Sequence, residues 1–270
     1  MDYASAIKWL FAQLPMYQRT GKAALNPSLD GISKLARHLD NPHHKFKSIH
    51  VAGTNGKGSS SHMLASILQE AGYNVGLYTS PHLKDFRERI RINGLPIDKA
   101  YVLDFVVSNR NFFEQEAFSF FEMTVGLAFD YFASQEVDIA VIEVGLGGRL
   151  DATNIITPEV CLITNIALDH QYFLGDTRAA IAKEKGGIIK PNTPVVLGEK
   201  DDETFAVFDS IAKQQDAALC VADQYAYTTD LLGDYQQKNI NGVVSTLKKC
   251  TSFTVTDNHI RNGLLRVRKH

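Results

Sequence analysis

An open, mostly parallel α/β sheet with flanking helices is the fold that two features of this 270-residue sequence predict. Short β-rich apolar runs alternate with segments of helical periodicity, and the run Ile49-His50-Val51-Ala52 passes through a glycine-rich turn into an amphipathic stretch from Ser59 to Glu70. Further strands are expected at Val75 to Tyr78, Ile139 to Val144, Val160 to Thr164, Val195 to Leu197 and Ala218 to Val221, each bounded by turn or helix signals. Helices are expected between most of them: Asp98 to Phe113, Phe118 to Ala133, Thr177 to Ile189, Asp202 to Gln214 and Gln236 to Lys248, all long enough to cover a sheet. Asp257 to His270 reads as a helix that runs into the basic residues Arg266, Arg268, Lys269 and His270. No internal repeat, low-complexity tract or Pro/Ser-rich linker divides the chain, so residues 1–270 read as one domain.

Bulk properties exclude several classes. With 44% hydrophobic and 21% charged residues and a net charge of −2, the chain is neither a disordered segment nor a nucleic-acid coat, so any anion site must be local. Cys161, Cys220 and Cys250 are widely spaced and form no C-x-x-C pair, which fits a reduced, cytoplasmic protein better than a disulfide or zinc framework. The first apolar run is broken by Lys8, Gln13 and Pro15, and no stretch approaches the roughly 20 apolar residues of a membrane span, so neither signal peptide nor membrane association is expected.

The segment Gly53-Thr54-Asn55-Gly56-Lys57-Gly58-Ser59 joins a strand to a helix, where backbone N–H groups and the helix dipole can hold phosphate oxygens. It departs from the general G-x-x-x-x-G-K-[ST] pattern, because Val51 stands where the first glycine would be and Gly58 follows the lysine directly. A glycine-rich turn with a solvated lysine is the bland alternative; the concentration of glycine, lysine and hydroxyl residues in one strand-to-helix joint favours a nucleotide, with Lys57 along its β/γ-phosphates. Glu143 ends the apolar strand Ile139-Ala140-Val141-Ile142, on the edge where open α/β sheets bind ligands and where a hard cation bridging phosphates needs an oxygen donor. Taken alone it reads slightly better as a strand-ending surface glutamate.

The loop Gly-Thr-Asn-Gly-Lys-Gly-Ser resembles that of the Mur ligase superfamily, and its Gly-Ser ending resembles the folylpolyglutamate synthase/dihydrofolate synthase branch. Thr79-Ser80-Pro81-His82-Leu83, followed by Phe86, Glu88-Arg89-Ile90 and Arg91-Ile92-Asn93-Gly94, is similar to the loop that closes over folate and nucleotide in that branch. Glu143 through Asn154, Asn165 through His170 with Leu174-Gly175, and Ile181 through Lys190 are similar to further segments of the family, as is Leu231 through Gln236 with Asn239. The resemblance spans about Leu29 to Asn239 and implies a Mur ligase-like central domain that binds ATP.

Several site assignments follow from it. Gly53, Thr54, Asn55, Gly56, Lys57, Gly58 and Ser59 would hold phosphates, with Asn239 near the adenine. Ser80, Glu143 and His170 are the implied Mg²⁺ positions, a hydroxyl, a carboxylate and one imidazole suiting Mg²⁺ or Mn²⁺ better than zinc. Lys185 matches the family's carbamylated lysine, which helps hold a second metal; by its own pattern a Lys-Glu-Lys run is a solvated helix face. Leu29, Asp30, Gly31 and Ile32 resemble the pterin-side loop, and Phe121, Asp151, Ala152 and Thr153 fall in folate-contacting segments. Phe121 also belongs to an aromatic stripe with Phe118, Phe120, Phe129 and Phe132 that by default packs the core.

The implied reaction is carboxylate activation. ATP phosphorylates the carboxylate of dihydropteroate or folate, and L-glutamate attacks the acyl phosphate, with Lys57, Lys185 and His170 as the catalytic set in a monomer. A peptidoglycan Mur ligase is one alternative, disfavoured because too few residues precede the loop for a UDP-binding domain. A P-loop nucleotide-binding module without ligase activity is another. Family members continue into a second α/β domain that closes over glutamate, so these 270 residues are expected to lack that domain and to be inactive alone.

Overall fold

The computed structural model describes residues 1–13 and 28–269. Eight strands are found among them: β1 (Lys47–Ala52), β2 (Val75–Tyr78), β3 (Ile90–Ile92), β4 (Leu95–Pro96), β5 (Ile139–Glu143), β6 (Val160–Ile163), β7 (Val195–Leu197) and β8 (Leu219–Val221). They hydrogen-bond into one sheet in the order β4-β3-β2-β5-β1-β6-β7-β8. All pairings from β2 to β8 are parallel, and β3 and β4 add an antiparallel hairpin at one edge. The expected open, mostly parallel sheet is therefore present. The hairpin was not expected; it turns at Asn93 and Gly94, whose φ angles of 49° and 78° are the left-handed pair that a two-residue hairpin turn requires.

Among the described residues ten α-helices flank the sheet: α1 (Tyr3–Ala12), α2 (Asp30–His38), α3 (Lys57–Glu70), α4 (Lys99–Glu116), α5 (Phe120–Ser134), α6 (Gln171–Leu174), α7 (Arg178–Gly186), α8 (Asp202–Gln214), α9 (Gln236–Lys249) and α10 (Asp257–Leu264). The stretch from Leu29 to Ile32, expected as a loop, instead enters α2 at Asp30. Ile32, Leu35 and Ala36 recur at helical spacing and are buried, while Asp30 in the first turn and Arg37 and His38 in the last complement the helix dipole. The helix expected from Thr177 to Ile189 stops at Gly186, where two successive glycines remove helix propensity. The helix expected from Asp257 ends at Leu264 and gives way to a 3₁₀ turn from Val267 to Lys269; Val267 is buried, and Arg266 pairs with Glu70 at 2.6 Å. His270 lies outside the described residues.

The two faces of the sheet differ. On one, Ile49, Val51, Val75, Leu77, Ile139, Val141, Val160 and Leu162 share a core with α3, α9 and α10. There α10 crosses α3 so closely that a Cβ on Gly263 would lie 2.5 Å from the Ile67 Cα, and the Ser66 hydroxyl donates to the Gly263 carbonyl at 2.7 Å. The other face carries two separate cores. Ala140 and Ile142 pack with α1, α2, α4 and α5, whereas Ala52, Cys161 and Ile163 pack with α7 and α8. Between them lies β1, where His50 is in register with Ile142 on one side and Cys161 on the other. The seam is filled by a short 3₁₀ turn, Ala152–Ile155, capped by the Asp151 side chain.

Candidate functional site

The phosphate loop starts where β1 ends. Gly53 (φ 143°) and Gly56 (φ 82°) hold conformations that side chains rarely adopt, and neither has room for one: a Cβ would meet Thr164 Oγ1 at 1.9 Å and Asn239 Oδ1 at 2.2 Å respectively. β6 and the chain after it hold the loop. Thr54 N–H donates to the Asn165 carbonyl at 2.9 Å, Asn55 N–H to Asn165 Oδ1 at 3.0 Å, and the Thr164 hydroxyl to the Asn55 carbonyl at 2.6 Å. The N–H groups of Gly56, Lys57, Gly58 and Ser59, the first of α3, have no intrahelical carbonyl to bond and point out of the helix end, as an anion site needs. Asn239 is buried beside Gly56 on α9, bonded to Gln236 at 2.8 Å, and Gln236 reaches Ser59 Oγ at 3.4 Å.

This packing makes Gly56→Ala a sharp test. The new methyl group would occupy the left-handed conformation at a cost of about 1–2 kcal/mol and displace the Asn239 amide. The melting midpoint of the variant is expected to fall by about 3–6 °C in a calorimetric scan, together with its affinity for nucleotide.

Two ammonium groups converge on the Gly53 carbonyl, Lys57 Nζ at 3.0 Å and Lys185 Nζ at 2.8 Å, and Lys57 also donates to the Thr54 carbonyl at 3.2 Å. They line a small polar pocket with Asp169, His170 and the turn 144–147. Lys185 is 3% exposed, so the expectation of a solvated helix face is replaced by a buried amine. Burial, with Lys57 nearby, lowers its pKa to about 8, against the pull of Asp169 and Asp151. His170 sits at the exposed lip in the left-handed region (φ 45°), uncommon for a residue with a side chain, and its Nε2 is 3.5 Å from Asp169 Oδ1.

Glu143 and Ser80 form a second group. Glu143 is 4% exposed, and its Oε2 accepts the Ser80 N–H at 3.2 Å. A Cβ on Gly58 would be 3.9 Å from both carboxylate oxygens, so the start of α3 passes beside them. Burial pushes the Glu143 carboxyl up to about 7 despite Lys57, the Ser80 N–H and Arg89. A buried carboxylate whose ionisation stays disfavoured beside those two cations is under-compensated, and a divalent cation is a fitting further counter-charge. The structure thus brings Ser80 to Glu143 and His170 to Lys57 and Lys185, with Lys57 acting electrostatically on both groups. Among the described residues no group of three or more His, Cys, Asp or Glu side chains could hold a metal unaided, so a cation here would draw on the Ser80 hydroxyl and on phosphate oxygens.

The remaining expected contacts divide. Phe118, Phe120, Phe129 and Phe132 are core residues, but Phe121 is half-buried and its ring lies against Gly145, where a Cβ would come within 2.3 Å of it. The same Cβ would be 3.1 Å from Asp151 Oδ2, which puts Phe121 and Asp151 together beside the 144–147 turn. Asp151, Ala152 and Thr153 are buried, and Thr153, at 0% exposure, spends its hydroxyl inside the protein. Ile32 is 1% exposed and belongs to the core, which narrows the pterin-side segment to Leu29, Asp30 and Gly31. Arg89, singled out above only within a longer motif, is 8% exposed, donates to His82 Nδ1 at 2.8 Å and lies 5.3 Å from the Phe120 ring centre. Thr164 and Asn165 were missed as loop supports; their signal was the polar pair that closes the β6 run.

A parallel α/β sheet whose first strand delivers a glycine loop and a lysine to a helix N-terminus, with a buried carboxylate one strand away, has the arrangement of a mononucleotide-binding protein. Residues 51–248 match the Mur ligase middle domain family. The folylpolyglutamate synthase of Lacticaseibacillus casei is 38% identical, covering 98% of this chain and 68% of its own. The dihydrofolate synthase/folylpolyglutamate synthase of Bacillus subtilis is 33% identical over the same shares. A solved folylpolyglutamate synthase complex with AMPPCP and folate superimposes with a TM-score of 0.88 at 34% identity, covering 99% of this chain and 72% of that one. The chain belongs to the folylpolyglutamate synthase/dihydrofolate synthase family of Mur ligases, and it spans about two thirds of the length of these relatives.

Proposed function

We propose that this chain carries the ATP site and carboxylate-activating site of an ADP-forming ligase that joins L-glutamate to dihydropteroate or a folate. The observation that supports it most directly is the pair of ammonium groups, Lys57 and Lys185, meeting at the Gly53 carbonyl beside the phosphate loop. With nucleotide present, Lys57 turns from the loop carbonyls to the β/γ-phosphates, and the N–H groups of 56–59 hold the phosphate chain. Ser80 and Glu143 would hold one Mg²⁺ and His170, in the group with Lys57 and Lys185, would reach it or a second; bound there, the metal would supply positive charge to offset that of the phosphoryl group. Phe121 offers a flat apolar surface to a pterin ring and Asp151 a hydrogen-bond acceptor. L-Glutamate then attacks the acyl phosphate, forming the amide and releasing phosphate; the site's contribution is positioning and electrostatic stabilisation.

Binding of AMPPCP to this chain, with and without folate or dihydropteroate, tests the reading. A nucleotide affinity that rises when either is added is expected. Nucleotide binding that neither folate nor dihydropteroate influences would favour a plain nucleotide-binding module, and a rise with a UDP-linked peptide a peptidoglycan ligase. The protein acts, in this reading, as a cytoplasmic monomer. The free Cys161, Cys220 and Cys250 suit a reducing compartment, and no helix among the described residues is long and apolar enough to cross a membrane.

Lys185 carries a carbamate in the same reading. Only the neutral amine attacks CO₂, forming an N–C bond and releasing a proton, and a lysine with a pKa of about 8 is about half neutral at pH 8. Crystals grown near that pH with metal and nucleotide are expected to show three extra heavy atoms beyond Nζ. A plain ammonium in clear density under those conditions would count decisively against the carbamate.

A further inference from the structure

His50 sits where the two helix layers of one sheet face part, and it is 0% exposed. A leucine would fill such a place without burying polar atoms, so the imidazole calls for an explanation. Its Nε2 is 2.9 Å from Thr153 Oγ1, and Thr153 Oγ1 is 2.5 Å from Asp151 Oδ1. Asp151 Oδ1 also accepts the Thr153 N–H at 3.0 Å, and its Oδ2 accepts the Leu146 N–H at 2.8 Å. The direction of each bond follows from the end of the chain. Burial raises the Asp151 pKa, but the Leu146 and Thr153 N–H groups bonded to its two oxygens favour the carboxylate. In that form Asp151 only accepts, the Thr153 hydroxyl donates to it, and Thr153 has lone pairs left for a proton on His50 Nε2. That leaves Nδ1 as the unprotonated nitrogen, and Nδ1 is the buried atom of this ring without a partner among the described residues. Burial keeps the ring neutral, lowering its pKa to about 3.

We infer that His50 is a positioning residue, whose Nε2–H, acting through the Thr153 hydroxyl and the Asp151 carboxylate, fixes the 144–147 turn and the Phe121 side of the site that receives the pterin-bearing substrate. The substrate part rests on the proposed function; the direction of the relay does not. Asp151 is thereby held by donors on both sides, and its Oδ2 stays aimed at Leu146 beside Gly145, on which the Phe121 ring lies. The phosphate loop itself is held by other residues, Thr164, Asn165 and Asn239, so the relay bears first on the carboxylate substrate and on the nucleotide only through the 144–147 turn that lines the pocket of Lys57 and Lys185.

Two measurements separate the relay from the functional reading. In ¹⁵N-labelled protein without ligand, His50 is expected to give the shifts of a neutral imidazole protonated at Nε2, altered in Thr153→Val; a proton on Nδ1 would overturn the relay. For binding, folate is the probe and the non-hydrolysable ATP analogue AMPPCP the control. His50→Leu and Thr153→Val are each expected to weaken folate binding by about tenfold, the worth of one buried hydrogen bond, with AMPPCP binding weakened less. His50→Gln, which can place an amide N–H at the Nε2 position, and Thr153→Ser are expected to restore it. Should His50→Leu fail to fold, the Thr153 pair carries the test. Wild-type protein that binds AMPPCP but neither folate nor dihydropteroate overturns the functional reading and the substrate role with it. Wild-type protein that binds folate while His50→Leu and Thr153→Val bind it equally well overturns the positioning role alone, as does a loss of both ligands that Gln and Ser fail to restore.

Discussion

Replacing Lys57 by alanine is expected to weaken ATP binding by about a hundredfold while moving the melting midpoint very little. The binding loss is the value of a charge-assisted contact to phosphate, about 1.5–3 kcal/mol, enlarged where the partner is a multiply charged anion. The small effect on stability follows from the bonds Lys57 makes without nucleotide. Both go to carbonyls of its own loop, and one of these, on Gly53, keeps Lys185 as a donor at 2.8 Å. Removing Lys57 also removes a repulsion felt by Lys185 and so offsets part of any loss. Calorimetric titration of both proteins with ATP measures the difference, and equal affinities would take this loop out of the phosphate site.

Glu143→Gln is expected to make the metal-free protein more stable at pH 8 and to abolish its response to Mg·ATP. The folded protein holds the Glu143 proton more tightly than the unfolded chain, with a pKa of about 7 against an ordinary 4.5. The protonated form therefore adds stability that is fully present below about pH 4.5 and lost as pH rises through about 7. At pH 8 the carboxylate costs the fold up to about 3 kcal/mol relative to acid, and a neutral glutamine, which still accepts the Ser80 N–H, avoids that cost. In chelator the variant should melt above wild type at pH 8, with the gap closing towards pH 5. Added Mg·ATP should raise the wild-type midpoint and leave the variant's in place. An equal rise in both would remove Glu143 from the metal site.

The parallel strands were legible because strands buried on both faces read as short apolar runs; β1, β2, β5, β6 and β7 are buried almost throughout, and β8, half-buried at the sheet edge, is still an apolar run. The β3–β4 hairpin escaped because Arg91 interrupts one strand and the other is two residues long, although Asn93-Gly94 is a hairpin signal by itself. Helix α2 escaped for a different reason. Asp30-Gly31 reads locally as a turn, and what makes it helical is the burial of Ile32, Leu35 and Ala36 against distant parts of the chain. Within the site, the phosphate loop could be read directly because its chemistry is contiguous. The resemblance alone put Asn239 near the nucleotide, and its place against Gly56 depends on a helix 183 positions further along the chain, a separation that no local pattern reports. His50 is the clearest case of information absent from the local sequence. It looks like a flaw in an apolar strand until Thr153, 103 positions away, is brought beside it.

The crossing of α10 over α3 makes the two ends of one rod interdependent. A 14-residue helix is about 21 Å long; its first turn presents N–H groups to phosphate, and its later turns lie against the Gly263 backbone with no layer of side chains between. Met63, Leu64, Ile67 and Leu68 are wholly buried, so the rod cannot fray from its far end without exposing four large apolar groups at once. Amide protons along 64–68 and 260–264 should therefore exchange with solvent through a single shared opening, and nucleotide held at the loop should slow both sets by the same factor. Occupancy at the phosphate end is thereby registered as isotope exchange in a helix that touches no part of the nucleotide site.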